Sequence, residues 1–463
     1  MLSTCLAYFI VIATTTAVNV ALTPIGHQFR ASLPSLTWVV NSYSLAFASL
    51  LLPIGALADR VGARRVFLGG LMLFVLASGG AAAAPGLAGL VIAQGAAGIA
   101  AAALVPTSLA LISHTFPAAG ERGRAIAFWA ATGGGALAAG PVIAGLLIDY
   151  AGWRAIFAVQ AAIAVAALAV AWARLGQVPR HPRRRADPLG QASSVVGLFA
   201  LTYSLIEGGQ LGWTSPGTVA GFAVAGASFA LFTLVERRVD APILPLELFR
   251  HPTFSAATAI GLLINFGYYG QLFVLSLYFE TARGFGALRT GLALLPMTAT
   301  IIVSNISTGR LMVRLGHRTL IAGGGVLCGA GLVALVALGP ATPYPVVVPA
   351  LLAIGLGGGL MVPPMTAALL GTTRPAQFGV ASATLNAGRQ VGGVVGVAIF
   401  GALLAGSGFV TGLHVSVLLA GAGVLCAAAL AGFIHRRPAP RTLSEPGAAR
   451  ASSRSPASPG SLP

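Results

Sequence analysis

An all-α polytopic membrane protein is the fold this sequence predicts: two pseudo-symmetric six-helix bundles plus two inserted helices, about 14 transmembrane helices in all. Three observations predict it. Of the 463 residues, 56 % are hydrophobic and only 8 % are charged, where a soluble chain carries about a quarter charged residues. Charge-free runs such as "FLGGLMLFVLASGGAAAA" and "VLLAGAGVLCAAALAGFI" approach the roughly twenty residues that span about 30 Å of hydrocarbon as a helix. Finally, a glycine- and arginine-rich motif near residue 60 recurs in the second part of the chain. The 61 glycines suit closely packed membrane helices, where small residues let backbones approach.

Hydropathy over windows of about 19 residues places helices near 5–24, 38–58, 66–84, 88–113, 125–148, 155–173, 189–207, 218–235, 254–279, 290–308, 319–338, 346–371, 380–405 and 413–434. The helices at 189–207 and 218–235 carry the weakest signal, with "SLIEGGQLGW" between them. This pattern divides the chain into an N-terminal six-helix half (1–174), a basic linker with two extra transmembrane helices (175–253), a C-terminal six-helix half (254–435) and a tail (436–463). The tail is rich in Pro, Ser and Arg, so it cannot bury a core and is expected to be disordered in the cytoplasm.

Net charge is +17, and all 27 basic residues are Arg. They fall in short clusters between apolar runs, as topology demands, rather than in a nucleic-acid-binding face. One set of connections and the tail hold 22 of them; the opposite set holds only Arg30, Arg154, Arg283 and Arg289. The positive-inside rule then sets both termini in the cytoplasm and the chain as a multi-pass protein of the cell membrane. Cys5, Cys328 and Cys426 lie in apolar stretches without metal-ligand spacing and read as small core residues. No His cluster, no Gly-Lys phosphate loop and no Lys occur. No metal, cofactor or enzymatic activity is therefore expected. Membrane lipid is the partner this composition implies.

The repeat is the strongest organisational signal. "GALADRVGARR" at 55–65 is echoed by "GRLMVRLGHRT" at 309–319: Gly55, Leu57, Arg60, Gly62 and Arg64 return as Gly309, Leu311, Arg314, Gly316 and Arg318. Val105-Pro106 likewise returns as Val362-Pro363, Gly140 as Gly396, and Gly145 as Gly401. Parallel six-helix repeats are an architecture of secondary transporters.

The chain resembles the major facilitator superfamily, in particular its fourteen-helix drug:proton antiporter branch. The resemblance rests on the loop pattern Gly55, Leu57, Asp59, Arg60, Gly62, Arg64, Arg65, on Val18-Asn19-Val20-Ala21-Leu22 closing the first helix, and on "WVVNSYSLA" opening the second. It rests also on Gly140-Pro141-Val142-Ile143-Ala144-Gly145 followed by Trp153-Arg154. The resemblance implies export of small amphiphilic compounds, of antibiotic or drug type, in exchange for protons by rocker-switch alternating access. It also implies gating by Asp59 with Arg60, Arg64 and Arg65, and by the second-half copy Gly309, Arg314, Gly316 and Arg318. Gly140, Pro141 and Gly145 would be the antiporter motif. Transport of one specific metabolite, inward or outward, and a non-transporting membrane sensor stand as alternatives.

Two departures from the family bear on coupling. The expected first-helix Asp is Thr14, and the expected fourth-helix Arg aligns with Gln94. Losing both is coherent, because either alone would leave an unpaired buried charge. Two carboxylates are proton-coupling candidates, Asp59 and Glu280; for Glu280, in "SLYFETARGF", a hydrated position facing water is the competing reading. Arg389 lies inside an apolar run, which marks a functional site, and it favours neutral or anionic amphiphiles over polycations. Snorkelling or pairing with helix-end carbonyls is its competing reading. Asn19, Asn41, Tyr43, Gln94, Asn265, Tyr269, Asn386 and Arg389 are the substrate-cavity candidates, with Tyr268, Gln271 and Gln390 nearby.

Overall fold

The computed structural model describes residues 1–116, 118–176, 187–239, 246–373, 378–406 and 408–435. Thirteen α-helices account for nearly all of them, and no strand occurs among the described residues. In chain order they are α1 (Leu2–Phe29), α2 (Leu33–Val61), α3 (Ala63–Ala82), α4 (Leu87–Thr115), α5 (Ala119–Ala151), α6 (Arg154–Arg174) and α7 (Pro188–Leu211). The remainder are α8 (Pro216–Glu236), α9 (Pro252–Leu277), α10 (Ala287–Ala334), α11 (Tyr344–Leu370), α12 (Phe378–Gly406) and α13 (Phe409–Leu430). Local signals explain many of the ends. Proline occupies the first turn of α2, α7, α8, α9 and α11, where no backbone donor is lost. Asp187 and Ser215 cap α7 and α8 by accepting from the amides of Gly190 and Thr218.

Every expected helix forms, including the two weakest, but the helices at 290–308 and 319–338 run together as α10. They are broken at Gly316, whose φ of 76° is left-handed inside otherwise helical backbone. The continuous stretch Ala287–Ala337 holds 51 residues, about 75 Å if straight, far more than one crossing needs. Twelve helices among the described residues are long and apolar enough to cross a membrane, counting that stretch once; α2 lies outside this set. The basic linker's residues 177–186 and the tail 436–463 lie outside the described residues, as does Arg374.

The repeat seen in the sequence returns as backbone geometry. Gly62, which ends α2, has φ 106° and its counterpart Gly316 has φ 76°. Gly152 between α5 and α6 has φ 79°, and Gly408, 256 residues on, between α12 and α13, has φ 78°. Only glycine adopts such angles without strain, so the repeated glycines mark repeated turns.

Helix contacts follow the same pairing. The glycine face of α5 lies on α1 and α10: a Cβ at Gly140 would strike Thr16 and the Ala13 carbonyl, and one at Gly145 would strike the backbone of Ala287 and Leu288. The glycine face of α12 lies on α9 and α2: a Cβ at Gly396 would meet the Phe266 backbone, and one at Gly401 would meet Thr37. Gly291 returns the α5 contact from α10, against the backbone of Pro141 and Val142. Helices distant in sequence are thus brought together along two seams, α5 against α10 backbone to backbone and α12 against the Thr37 side chain of α2. Outward-facing side chains such as Leu76, Ile92, Trp172, Val303 and Ile306 are exposed and form the apolar flank a bilayer would cover. Cys5 and Cys328 are buried, but Cys426 is exposed; the core expectation fails there because its face of α13 points outward.

Candidate functional site

Four helices enclose a narrow cleft at the centre of the molecule. α1 contributes Thr15 and Asn19, α2 contributes Val40 and Ser44, α9 contributes Tyr269, and α12 contributes Gln390, Gly393 and Val397. Asn19 is buried; its amide nitrogen donates to the Thr15 carbonyl at 3.0 Å, while its carbonyl oxygen has no protein partner. Gly393 is small because Tyr269 lies against it: an added Cβ would sit 3.1 Å from the ring.

One helical turn from Tyr269 and Gly393, on the same faces of α9 and α12, stand Asn265 and Arg389. Arg389 Nε donates to Asn265 Oδ1 at 3.4 Å, a long hydrogen bond. This is pairing with a side-chain amide rather than with helix-end carbonyls. Tyr8 of α1 lies within electrostatic reach of both Arg389 and Tyr269, and its ring stacks on Trp129 of α5 with centroids 3.7 Å apart. Gly133 makes that stack possible, since any Cβ there would enter the Tyr8 ring.

The other cavity candidates are distributed differently. Asn41 is fully buried with neither amide atom satisfied, and Gln94 is buried with an unpartnered Nε2; neither lines the cleft. Tyr43 is committed elsewhere, donating to the Val11 carbonyl at 2.9 Å and tying α2 to α1. Asn386 donates to Ser382 of its own helix. Thr14, which stands where an acid was expected, bonds back to the Ile10 carbonyl. Thr15, Ser44, Tyr8 and Trp129 were not singled out by sequence reasoning. Thr15 and Ser44 carry no charge to mark them, and Tyr8 and Trp129 meet across 121 residues of sequence.

The ends of the bundle differ. At the end carrying the arginine motifs, ideal Cβ atoms on Gly55 and Gly309 would meet nothing within 4 Å. Arg60, Arg65, Arg314 and Arg318 are exposed. Arg64 is not free: its Nε donates to the Leu175 carbonyl at 2.8 Å and an Nη to Trp172 at 3.4 Å, holding the C-terminus of α6. Arg318 occupies the matching place, its guanidinium 3.9 Å from where a Cβ of Gly432 would lie, just past α13. The Asp59 side chain lies outside the described residues.

At the opposite end, α5 and α10 are closed on each other at Gly145 and Gly291. Beside them a vestibule is lined by Thr23, His27, Arg30, Leu277, Thr281 and Phe409. Glu280 sits on a π-helical turn that continues α9 over Tyr278–Ala282. It is only 8 % exposed, neither carboxylate oxygen has a well-formed hydrogen bond, and Thr23 and Asp149 are its polar neighbours. The hydrated position is therefore overturned for Glu280, because the π turn carries it inward. Asp149 does face solvent, and Glu207 accepts from Trp38 Nε1 at 3.3 Å, joining α7 to α2.

An all-helical chain in which a dozen helices are long and apolar enough to cross a membrane, with a small cleft between α1, α2, α9 and α12, has the architecture of a polytopic membrane protein. The profile of the Major Facilitator Superfamily matches residues 4–397, and the chain belongs to that family. Among its relatives, the methylenomycin A resistance protein of Streptomyces coelicolor is 39 % identical over 403 residues, 87 % of this chain and 85 % of that protein. The multidrug resistance protein Stp of Mycobacterium tuberculosis is 35 % identical over 405 residues, 88 % of this chain and 75 % of that one. A crystal structure of a POT family transporter bound to a thioalcohol-conjugated peptide superposes with a TM-score of 0.73 at 12 % identity, covering 94 % of this chain and 96 % of that one. That likeness establishes the fold.

Proposed function

We propose that this protein exports small amphiphilic compounds, of the kind its resistance-protein relatives are named for, across the cell membrane in exchange for protons. The observation that carries the reading is the central polar cleft between α1, α2, α9 and α12, set among helices whose glycine faces touch across long sequence separations. Close backbone contact without side-chain interdigitation suits two halves that rock. In this reading residues 1–174 and 254–435 are those halves, α7 and α8 are inserted helices between them, and α10 crosses twice about Gly316, giving fourteen spans. The arginine-rich end is cytoplasmic, with both termini there. The protein works as a monomer.

Glu280 is the carboxylate we assign to the proton. Its support is its place: desolvated, without a strong hydrogen bond, and beside a vestibule on the side from which protons enter. A proton relieves the penalty of burying that charge. Asp59 then belongs to the cytoplasmic gate, and its partners form when that end closes.

The test is dye accumulation in an efflux-deficient bacterium expressing the protein, with anionic, neutral and cationic dyes and with or without a protonophore. Export predicts lower accumulation of at least one dye, reversed by the protonophore. Glu280→Gln should abolish the protonophore-sensitive part. Unchanged accumulation of every dye, with the protein present in the membrane, contradicts the reading.

A further inference from the structure

The surroundings of Arg389 differ from those of Arg64, Arg154 and Arg283. Arg64 caps α6. Arg154 is held by Gln28, the Ala84 carbonyl and the Trp153 ring. Arg283 is held by the carbonyls of Pro340 and Thr342 and by the Phe285 ring. Arg389 has one long hydrogen bond, from Nε, and among the described residues its two Nη nitrogens reach no acceptor and no carboxylate. A half-buried guanidinium whose fork is uncommitted presents the geometry that matches a carboxylate with two parallel hydrogen bonds.

A second observation lies across the Tyr8 ring, which is within electrostatic reach of Arg389. Trp129, stacked on Tyr8, is 7 % exposed and its indole N–H is buried with no acceptor. A buried donor without a partner is costly, and an anionic oxygen in this part of the molecule would satisfy it. The cleft one turn away mixes apolar and aromatic groups, Val40, Val397 and Tyr269, with the polar Thr15, Asn19, Ser44 and Gln390. No carboxylate lines the cleft to receive a cation, and Arg389 would repel one.

We infer that Arg389, steadied by Asn265 and within reach of Tyr8 of the Tyr8–Trp129 stack, binds the carboxylate of the exported compound, so that the protein's substrates are small organic acids. The inference rests on the export reading above and narrows it to one substrate class. The acid group docks on the Arg389 fork, and an amide or ester of the same shape loses the charge that the fork is placed to receive.

The experiment pairs acids with their primary amides: cinnamate with cinnamamide, salicylate with salicylamide, octanoate with octanamide. Binding is read from the thermal unfolding midpoint of the purified full-length protein, and neutral-dye export is measured in cells in parallel. At least one acid should stabilise the wild type and bind about tenfold more tightly than its amide, as expected where an unpaired buried charge discriminates. Arg389→Gln should remove that stabilisation, Arg389→Lys should keep part of it, and Arg250→Gln, on an exposed arginine remote from the cleft, should keep all of it. If Arg389→Gln fails to fold, Trp129→Phe keeps the ring, removes the N–H and should weaken acid binding several-fold. Equal binding of acid and amide, full acid binding by Arg389→Gln, or no binding of any acid overturns the inference. In each of those cases, persisting neutral-dye export leaves the export reading standing, and its absence removes both.

Discussion

The two ends of this molecule use the same residue type for opposite purposes. At one end, glycines of α5 and α10 touch backbone to backbone, with Gly145 on Ala287 and Leu288 and Gly291 on Pro141. At the other, Gly55 of α2 and Gly309 of α10 face open space, although they open the most recognisable motif in the sequence. A glycine in a tight seam and a glycine facing nothing cannot both be explained by the conformation described here. The first is required by this state. The export reading assigns the second to a state in which that end closes, and alternation between the two is what that reading needs.

The strongest way to break this comparison is to fill the closed seam. Gly145→Val or Gly291→Val drives a branched side chain into neighbouring backbone. Dye export should fall about tenfold or more, and stability should drop by about 1–3 kcal/mol, the usual range for overpacking; both are read by efflux assay and thermal unfolding. Next comes the gate. Asp59→Asn should reduce export by about as much, with unchanged protein abundance, since the proposed gate relies on the Asp59 charge. Val313, its counterpart in the second copy and 87 % exposed, should accept Asn with no loss.

A smaller effect separates the two motif arginines from the gate. Arg64→Gln should lower stability by about 1–2 kcal/mol, because two α6 carbonyls lose a charged donor, and Arg318→Gln should lower it less. The smallest change sharpens the comparison most. Gly55→Ala lies inside a helix with free space around it, so the stability of the described state should rise by about 0.4–1 kcal/mol. The alternating reading nonetheless predicts that export falls, since it requires that end to close on Gly55. A rise in stability with unchanged export would show that Gly55 is a spectator.

The helices were legible because a twenty-residue apolar run has few other folds open to it. Gly62 and Gly316 announced themselves by recurrence and proved to share a left-handed backbone. Arg389 was legible as a charge in an apolar run. Its isolation was not, since that depends on which carboxylates the fold leaves elsewhere. The Tyr8–Trp129 stack and the Tyr43–Val11 tie were hidden for the same reason: each joins residues on different helices, and no local pattern encodes the meeting. For Glu280 the sequence leaves both a proton-coupling and a hydrated position open. The π turn over Tyr278–Ala282 rotates it inward, and single-turn π segments leave no periodicity to read.

The most direct test of the account is a flux measurement on the purified protein in liposomes under an imposed pH gradient, using a dye that cells expressing the protein exclude. The account expects dye accumulation above that of protein-free liposomes, collapsing when the gradient is dissipated and absent in Glu280→Gln. Dye movement equal in liposomes with and without the protein would contradict it.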